Sequence, residues 1–162
     1  MNVLLVRVDD RFIHGQILES WIPHLKAQGV VVASDCLAQD QIQKAIMSMA
    51  IPERIQLRIV GLEDAVGLKD DCAMDDKRTL VIVSSIKDAF RLHGGGIPFT
   101  RLNIGNCKST TGSRQVSYSV WVDDEDLALV RQLIDNGVEV TLQSVPRERC
   151  IDMRSILDMV DL

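Results

Sequence analysis

Apolar residues fall along this chain in two alternating rhythms: short β-branched runs, and longer stretches in which they return every third or fourth position. Val3 to Val8 is the first run, and the charged turn that follows it marks the end of a predicted strand. From Gly15 onward Leu18, Trp21, Ile22 and Leu25 have helical spacing, with Pro23 expected to kink or split the helix and Gly29 to stop it. Val30 to Ala33 predicts a second strand. Ser34-Asp35 suits the start of a helix carrying Ala38, Ile42, Ala45, Ile46 and Met49 on one face, and Pro52 marks its end. Ile55, Leu57 and Ile59 alternate with Gln56 and Arg58 as in a half-covered strand, and a weak helix follows from Leu62 to Leu68.

Thr79 to Val83 is the continuous apolar run of a central parallel strand buried on both faces. Ser84-Ser85 ends it, Ile86, Ala89 and Phe90 predict a short helix, and Gly94-Gly95-Gly96 reads as a turn without the lysine and hydroxyl of a phosphate loop. Leu102 to Ile104 is a fifth strand. The polar stretch Gly105 to Gln115 is the longest loop-like segment, of the kind that carries function or moves. Val116, Tyr118, Val120 and Val122 alternate with polar neighbours and Trp121, which marks a candidate antiparallel or edge strand. Asp123 to Asp126 opens a helix with buried Leu127, Val130, Leu133 and Ile134, stopped by Asn136-Gly137. Val138 to Leu142 is the last strand, and Ile151, Met153, Ile156, Leu157 and Val160 suit a closing helix. The alternation predicts an α/β fold: a mostly parallel central sheet of about seven strands, one a candidate antiparallel edge strand, with helices on both faces.

Composition narrows the function classes. The 162 residues suit one domain spanning 1–162, and 46% hydrophobic with 25% charged residues is a globular balance. A net charge of −5 offers no broad basic face for nucleic acid. Cys36, Cys72, Cys107 and Cys150 are widely spaced, without a metal or redox pair, and read as free thiols in a reducing compartment. No signal peptide or membrane span is recognisable, so a cytoplasmic chain is expected. Met47, Met49, Met153 and Met159 fall at helical spacings and are expected in the core, as is Trp21; Trp121 suits either the core or a partner surface. His24 and His93 read as surface residues or caps.

The turn Asp9-Asp10-Arg11-Phe12-Ile13-His14-Gly15-Gln16 joins the first strand to the first helix, where ligands bind in open α/β sheets and free helix-start N–H groups attract anions. Three chemistries can be built there. Asp9 and Asp10 could hold a divalent cation as in receiver domains, but the third strand ends at Val60-Gly61 without the acceptor aspartate. A phosphohydrolase or nucleotide-binding module lacks a glycine-rich fingerprint, Lys108-Ser109-Thr110 being preceded by Cys107 where a Walker motif has glycine. A phosphohistidine carrier uses every residue of the turn: His14 as nucleophile, helix-start N–H groups on the phosphoryl oxygens, and Arg11 neutralising transition-state charge. No metal and no cofactor is needed for it. Asp35 and Ser84, each just after a strand, are expected at the same sheet edge.

The run Leu5 to Gln16, holding D-D-R-x-I-H-G-Q, resembles the signature of the enzyme IIB component of the mannose/fructose/sorbose class of the bacterial sugar phosphotransferase system. Similarity continues in order and spacing through Trp21, Ser34-Asp35, Asp40, Lys44, Met49-Ala50-Ile51-Pro52, Leu102-Asn103-Ile104-Gly105 and Gly137-Val138-Glu139-Val140 to Gln143-Ser144-Val145-Pro146. The resemblance implies that His14 takes phosphate from a phosphorylated IIA protein and passes it to a sugar held by the membrane IIC/IID proteins, with Arg11 important for transfer. Asp10, Gly15 and Gln16 of the turn, with Asp35 and Ser84 at the same sheet edge, are expected as phosphate-binding or site-supporting residues; the resemblance puts the chain at the inner face of the membrane through IIC/IID, and a homo-oligomer is compatible with it. Ser34 stands where the family usually has Asn, and Asn106 where a second Gly is common. A regulatory phosphorelay protein without sugar transport would carry the same signature.

Overall fold

The computed structural model describes residues 1–160. β1 (Asn2–Asp9) runs near the middle of a seven-stranded sheet, flanked by β4 (Arg78–Val83) and β5 (Arg101–Asn106). Outward from β4 lie β2 (Gly29–Ala33) and the edge strand β3 (Gln56–Val60); outward from β5 lie β8 (Glu139–Leu142) and β9 (Ile151–Asp152). The spatial order is therefore β3-β2-β4-β1-β5-β8-β9, with every pair parallel except β8 with β9.

Both faces are covered, which explains the unbroken apolar runs of the central strands. Val6, Val8, Val31, Ala33, Val81 and Val83 face α4 (Leu62–Gly67), α5 (Ile86–Gly94), α6 (Asp124–Asp135) and α7 (Met153–Val160). Leu5, Val30, Val32, Leu80 and Ile82 face the opposite layer, where a π-helical turn, Ile17–Trp21, continues into α1 (Ile22–Leu25). Because strand side chains alternate, Arg7 and Asp9 share this second face with Leu5 and lie towards Trp21. The chain leaves β1 towards β2 on one side of the sheet and leaves β4 towards β5 on the other. Connections diverge there, so a crevice opens beyond the carboxyl ends of β1 and β4.

Pro23 splits the first helix as expected, and the mechanism is visible: lacking an N–H, it cannot bond Glu19, and the preceding turn widens so that the Ile22 N–H reaches the Ile17 carbonyl. The stop differs from expectation. Lys26, in the left-handed region at φ 49°, closes α1, and Gly29 already belongs to β2. The helix expected from Ser34 is two helices, α2 (Asp35–Gln39) capped by Ser34 and α3 (Gln41–Ala50) capped by Asp40. Its predicted stripe faces outward: Ile42, Ile46 and Met49 are exposed, while Met47 and the adjoining Ile51 make the contact with the core. α3 rests beside an edge strand, so no further layer exists to cover its other face. Met159 is also exposed, whereas Met47 and Met153 are buried.

The alternating run 116–122 is not part of the main sheet. It folds back on itself as a separate hairpin of β6 (Arg114–Ser117) and β7 (Val120–Val122), and the antiparallel edge of the main sheet is β9 instead. Asp123 and Asp126 form a reciprocal cap at the start of α6.

Candidate functional site

Arg7 has no exposed surface although it carries a full charge, and every part of its guanidinium is engaged. Its Nε and Nη2 donate to Asp9 Oδ2 at 3.3 and 3.1 Å. Nη1 donates to Asn103 Oδ1 and to the Gln143 carbonyl at 2.9 Å, and Nη2 to the Ser144 carbonyl at 3.0 Å. The group lies 4.8 Å from the centre of the Trp21 ring, whose indole N–H also donates to the Ser144 carbonyl, at 2.9 Å. Room for it is made by Gly105, where a Cβ would overlap the guanidinium. β5 bulges at that glycine, since Val8 pairs with Ile104 and Asp9 already with Asn106.

Asp9, equally buried, passes this arrangement on to the histidine. Its Oδ2 lies 2.8 Å from His14 Nε2, and its Oδ1 accepts the Arg11 backbone N–H at 3.2 Å. Burial is the largest single influence on the Asp9 carboxyl and opposes its ionisation; the His14 hydrogen bond, then the Arg7 charge, outweigh burial and hold it below the usual carboxylate range. An ionised carboxylate only accepts, so Nε2 carries the hydrogen in this bond and the Nδ1 of a neutral ring keeps its lone pair. The chain reaches this geometry through Phe12, a non-glycine residue at φ 56°, an uncommon backbone conformation that clusters at functional turns. The imidazole side chain is 17% exposed. One face is thus anchored and the other is open.

The remaining expected residues divide into three groups. Arg11, half-exposed, donates from Nη2 to Gln16 Oε1 at 3.1 Å and sits 3.8 Å from Asp9 Oδ1, so Gln16 fixes the fork beside His14. Asp10 points across to the loop after β5, accepting from the Asn106 side-chain amide and, at 3.0 Å, from the Lys108 backbone N–H. Asn106 therefore ties the loop to the turn, a bond that glycine at this position could not make. Gly15 is exposed, with open space where a Cβ would stand. Ser84 lies in the crevice beside Asp10 and donates to Asp88 at 2.6 Å. Asp35 turns the other way: it accepts the Leu62 N–H at 2.8 Å and meets Arg91 at 3.3 Å, joining α2 to the β3–α4 turn.

Arg7, Asn103, Gln143 and Ser144 lie in the segments that carry the resemblance, but none of them was expected as a residue of the site. One signal was available, a lone arginine inside an otherwise apolar central strand, since such a charge is rarely buried without a partner. His24 is exposed, and Trp121 is half-buried at the crevice.

A mostly parallel α/β sheet with a histidine held by a buried carboxylate, where the connections of the sheet diverge, is the class of fold and site that this chain presents. Residues 3–161 match the family model described as "PTS system sorbose subfamily IIB component". The N-acetylgalactosamine-specific phosphotransferase enzyme IIB component 2 of Escherichia coli (strain K12) is 34% identical over 156 residues, covering 96% of this chain and 99% of that protein. The IIBSor domain of the sorbose permease from Klebsiella pneumoniae superimposes with a TM-score of 0.90 at 27% identity, over 99% of this chain and 97% of that one. The mannose-specific EIIAB component of Escherichia coli (strain K12) is 26% identical across 99% of this chain, which corresponds to 50% of its own length. The chain belongs to the sorbose subfamily of phosphotransferase-system IIB components, and it is a phosphotransferase of sugar transport. Among the described residues no helix is long and apolar enough to cross a membrane.

Proposed function

We propose that His14 Nδ1 is the phosphoryl acceptor and donor of this IIB component, with residues 1–162 acting as one domain. A phosphorylated IIA protein presents its phosphoryl group in line with Nδ1; the N–P bond forms as the donor's bond to phosphorus breaks. In the second step a hydroxyl of a sugar held by membrane IIC/IID proteins attacks phosphorus, the O–P bond forms with release of the hydroxyl proton, and the N–P bond breaks. The mannose-specific relative named EIIAB supports a IIA partner. The chain would work on the cytoplasmic side, reaching the membrane through IIC/IID.

One observation carries this reading: the 2.8 Å contact of His14 Nε2 with a carboxylate fixed by a buried arginine, which leaves Nδ1 as the reactive atom. Asp9 stabilises the positive charge that develops on the ring as Nδ1 bonds to phosphorus, and that charge is discharged when the N–P bond breaks in the second step. Both acidic residues of the turn already have protein partners, Asp9 in Arg7 and His14 and Asp10 in Asn106 and Lys108, which weighs against their use as a receiver-type cation site.

Incubation with radiolabelled phospho-IIA should give an acid-labile, alkali-stable label whose ¹⁵N shifts assign the phosphorus to Nδ1, and His14→Ala should take up none. Label retained in His14→Ala, or found on Nε2, would overturn the assignment.

Arg11→Ala should slow transfer from phospho-His14 to sugar by roughly a hundredfold, the scale of losing one charge-stabilising donor. Its folding stability should change by less than about 0.5 kcal/mol because the side chain is half-exposed. Arg11→Lys should recover little, since a point charge does not reproduce the fork that Gln16 orients. Single-turnover transfer in membranes bearing IIC/IID, beside a denaturant melt, separates the two effects.

A further inference from the structure

His14 is anchored, through Asp9 and Arg7, to the strands on one side of β1. Its Nε2 meets Asp9, Asp9 meets Arg7, and Arg7 donates to the Ser144 carbonyl, in successive contacts of 2.8, 3.1 and 3.0 Å. The chain that leaves β8 therefore starts beside the histidine. Neither His14 nor Arg11 lines the crevice on the β2 and β4 side, which begins at Phe12 and Asp10.

Directly after Ser144 the chain makes a β-turn, Val145 to Glu148, closed by the Glu148 N–H on the Val145 carbonyl at 3.0 Å, with Pro146 at the position that proline favours. Gln143 holds this turn from below. Its side-chain amide donates to the Pro146 and Glu148 carbonyls at 3.2 and 2.7 Å, while its own carbonyl accepts from Arg7. The turn is thus built onto the same buried guanidinium that supports Asp9. Arg147 stands third in it, exposed, with no partner among the described residues. By contrast Arg78, Arg91, Arg101, Arg114 and Arg154 each meet a carbonyl or a carboxylate. Backbone is fixed here and the guanidinium is left unused.

We propose that Arg147 is a second cation for the phosphoryl group on His14, its guanidinium pairing with phosphoryl oxygens in the phosphorylated protein. A phosphoryl group brings about two negative charges at neutral pH, and at His14 it stands beside the carboxylates of Asp9 and Asp10. Arg7 cannot serve it, because that side chain is buried and its donors are committed to Asp9, Asn103, Gln143 and Ser144. The turn from Asp9 to Gln16 offers only Arg11, which already donates to Gln16. An arginine three residues beyond Ser144 has the long stem and the planar fork to reach such a group and bind two of its oxygens at once. This rests on the carrier reading, since it requires phosphate on His14.

The test is the second ionisation of the phosphoryl group, followed by its ³¹P shift against pH in the full chain labelled from phospho-IIA. A neighbouring cation favours the dianion, so Arg147→Ala should raise that pKa by about one pH unit. The same variant should move the phosphoryl equilibrium about tenfold towards IIA, the scale of one charge-assisted hydrogen bond. Arg147→Lys should keep most of the first effect, because ionisation responds to charge, and recover less of the second, because lysine lacks the fork. The urea midpoint of Arg147→Ala should match the wild type, since the side chain is exposed and unpartnered among the described residues. Asp9, Asp10, Arg11 and the His24 ring edge-on to Trp21 are common to every variant, so a difference belongs to position 147. A titration unchanged by Arg147→Ala, or displaced equally by Arg149→Ala outside the turn, would overturn the proposal: the first shows no contact, the second only a diffuse field of the loop. Wild-type protein that takes no label would sink the carrier reading and this assignment with it, whereas a labelled His14 with an unchanged titration sinks this assignment alone.

Discussion

Arg7→Met is expected to cost about 3–5 kcal/mol of folding stability, the usual penalty for removing one partner of a buried ion pair. The substitution leaves Asp9 without its buried cation and strands the Asn103 side-chain oxygen and the Gln143 carbonyl, while the Ser144 carbonyl keeps only the Trp21 indole N–H. A urea melt at pH 7 measures the loss directly. Its pH dependence follows from Asp9, whose folded-state ionisation lies below the ordinary range. In the wild type that depression contributes stability present above the unfolded carboxyl's pKa of about 3.9 and lost as pH falls through the lower folded value. With Arg7 gone the buried carboxyl gains less from ionising, so the gap between variant and wild type should narrow as the medium is acidified. A loss below about 1 kcal/mol, constant with pH, would mean that water or a neighbouring group replaces the arginine.

Asp9→Asn should have the largest effect on chemistry, slowing phosphoryl transfer through His14 by up to about 10⁴-fold, as loss of the orienting carboxylate does in a serine-protease triad. The amide is close in shape but uncharged, and by turning its NH₂ towards Nε2 it favours the tautomer with hydrogen on Nδ1, which blocks the reactive lone pair. Folding will suffer too, because Arg7 then becomes the unpaired buried charge. The two consequences separate if transfer from phospho-IIA is measured in single turnover at a temperature where circular dichroism shows the variant fully folded. Unchanged rates under those conditions would remove Asp9 from the mechanism and leave it a purely structural partner of Arg7.

These two residues also mark the boundary of what local pattern could convey. The order of elements, the buried central strands and the chemical character of the turn around His14 follow from local periodicity and residue type, because strand and helix repeats and short-range caps are encoded within a few positions. Ser34, Ser85 and Asp123 cap the helices that follow them for the same reason. The orientation of the α3 stripe was not legible. Periodicity defines an apolar face but not what lies opposite, and Ile42, Ile46 and Met49 turn outward beside the edge strand β3. The run 116–122 has strand alternation throughout, yet whether it extends or reverses at Tyr118-Ser119 depends on which neighbour pairs with it, and β6 pairs with β7.

For the site, sequence by itself determined which residues share the turn: His14, Arg11, Asp10 and Gln16 are within a few positions of one another. Tertiary structure decided how they are used. Asp35 follows its strand as Ser84 does, but the next loop in space offers it the Leu62 N–H, so it supports the fold away from His14. The chain from Asn103 to Ser144 comes to Arg7 only through the pairing of β1 with β5 and β5 with β8. That long-range packing, with Gly105 making space for the guanidinium, turns an arginine in a hydrophobic strand into the support for Asp9, which in turn holds His14 by Nε2.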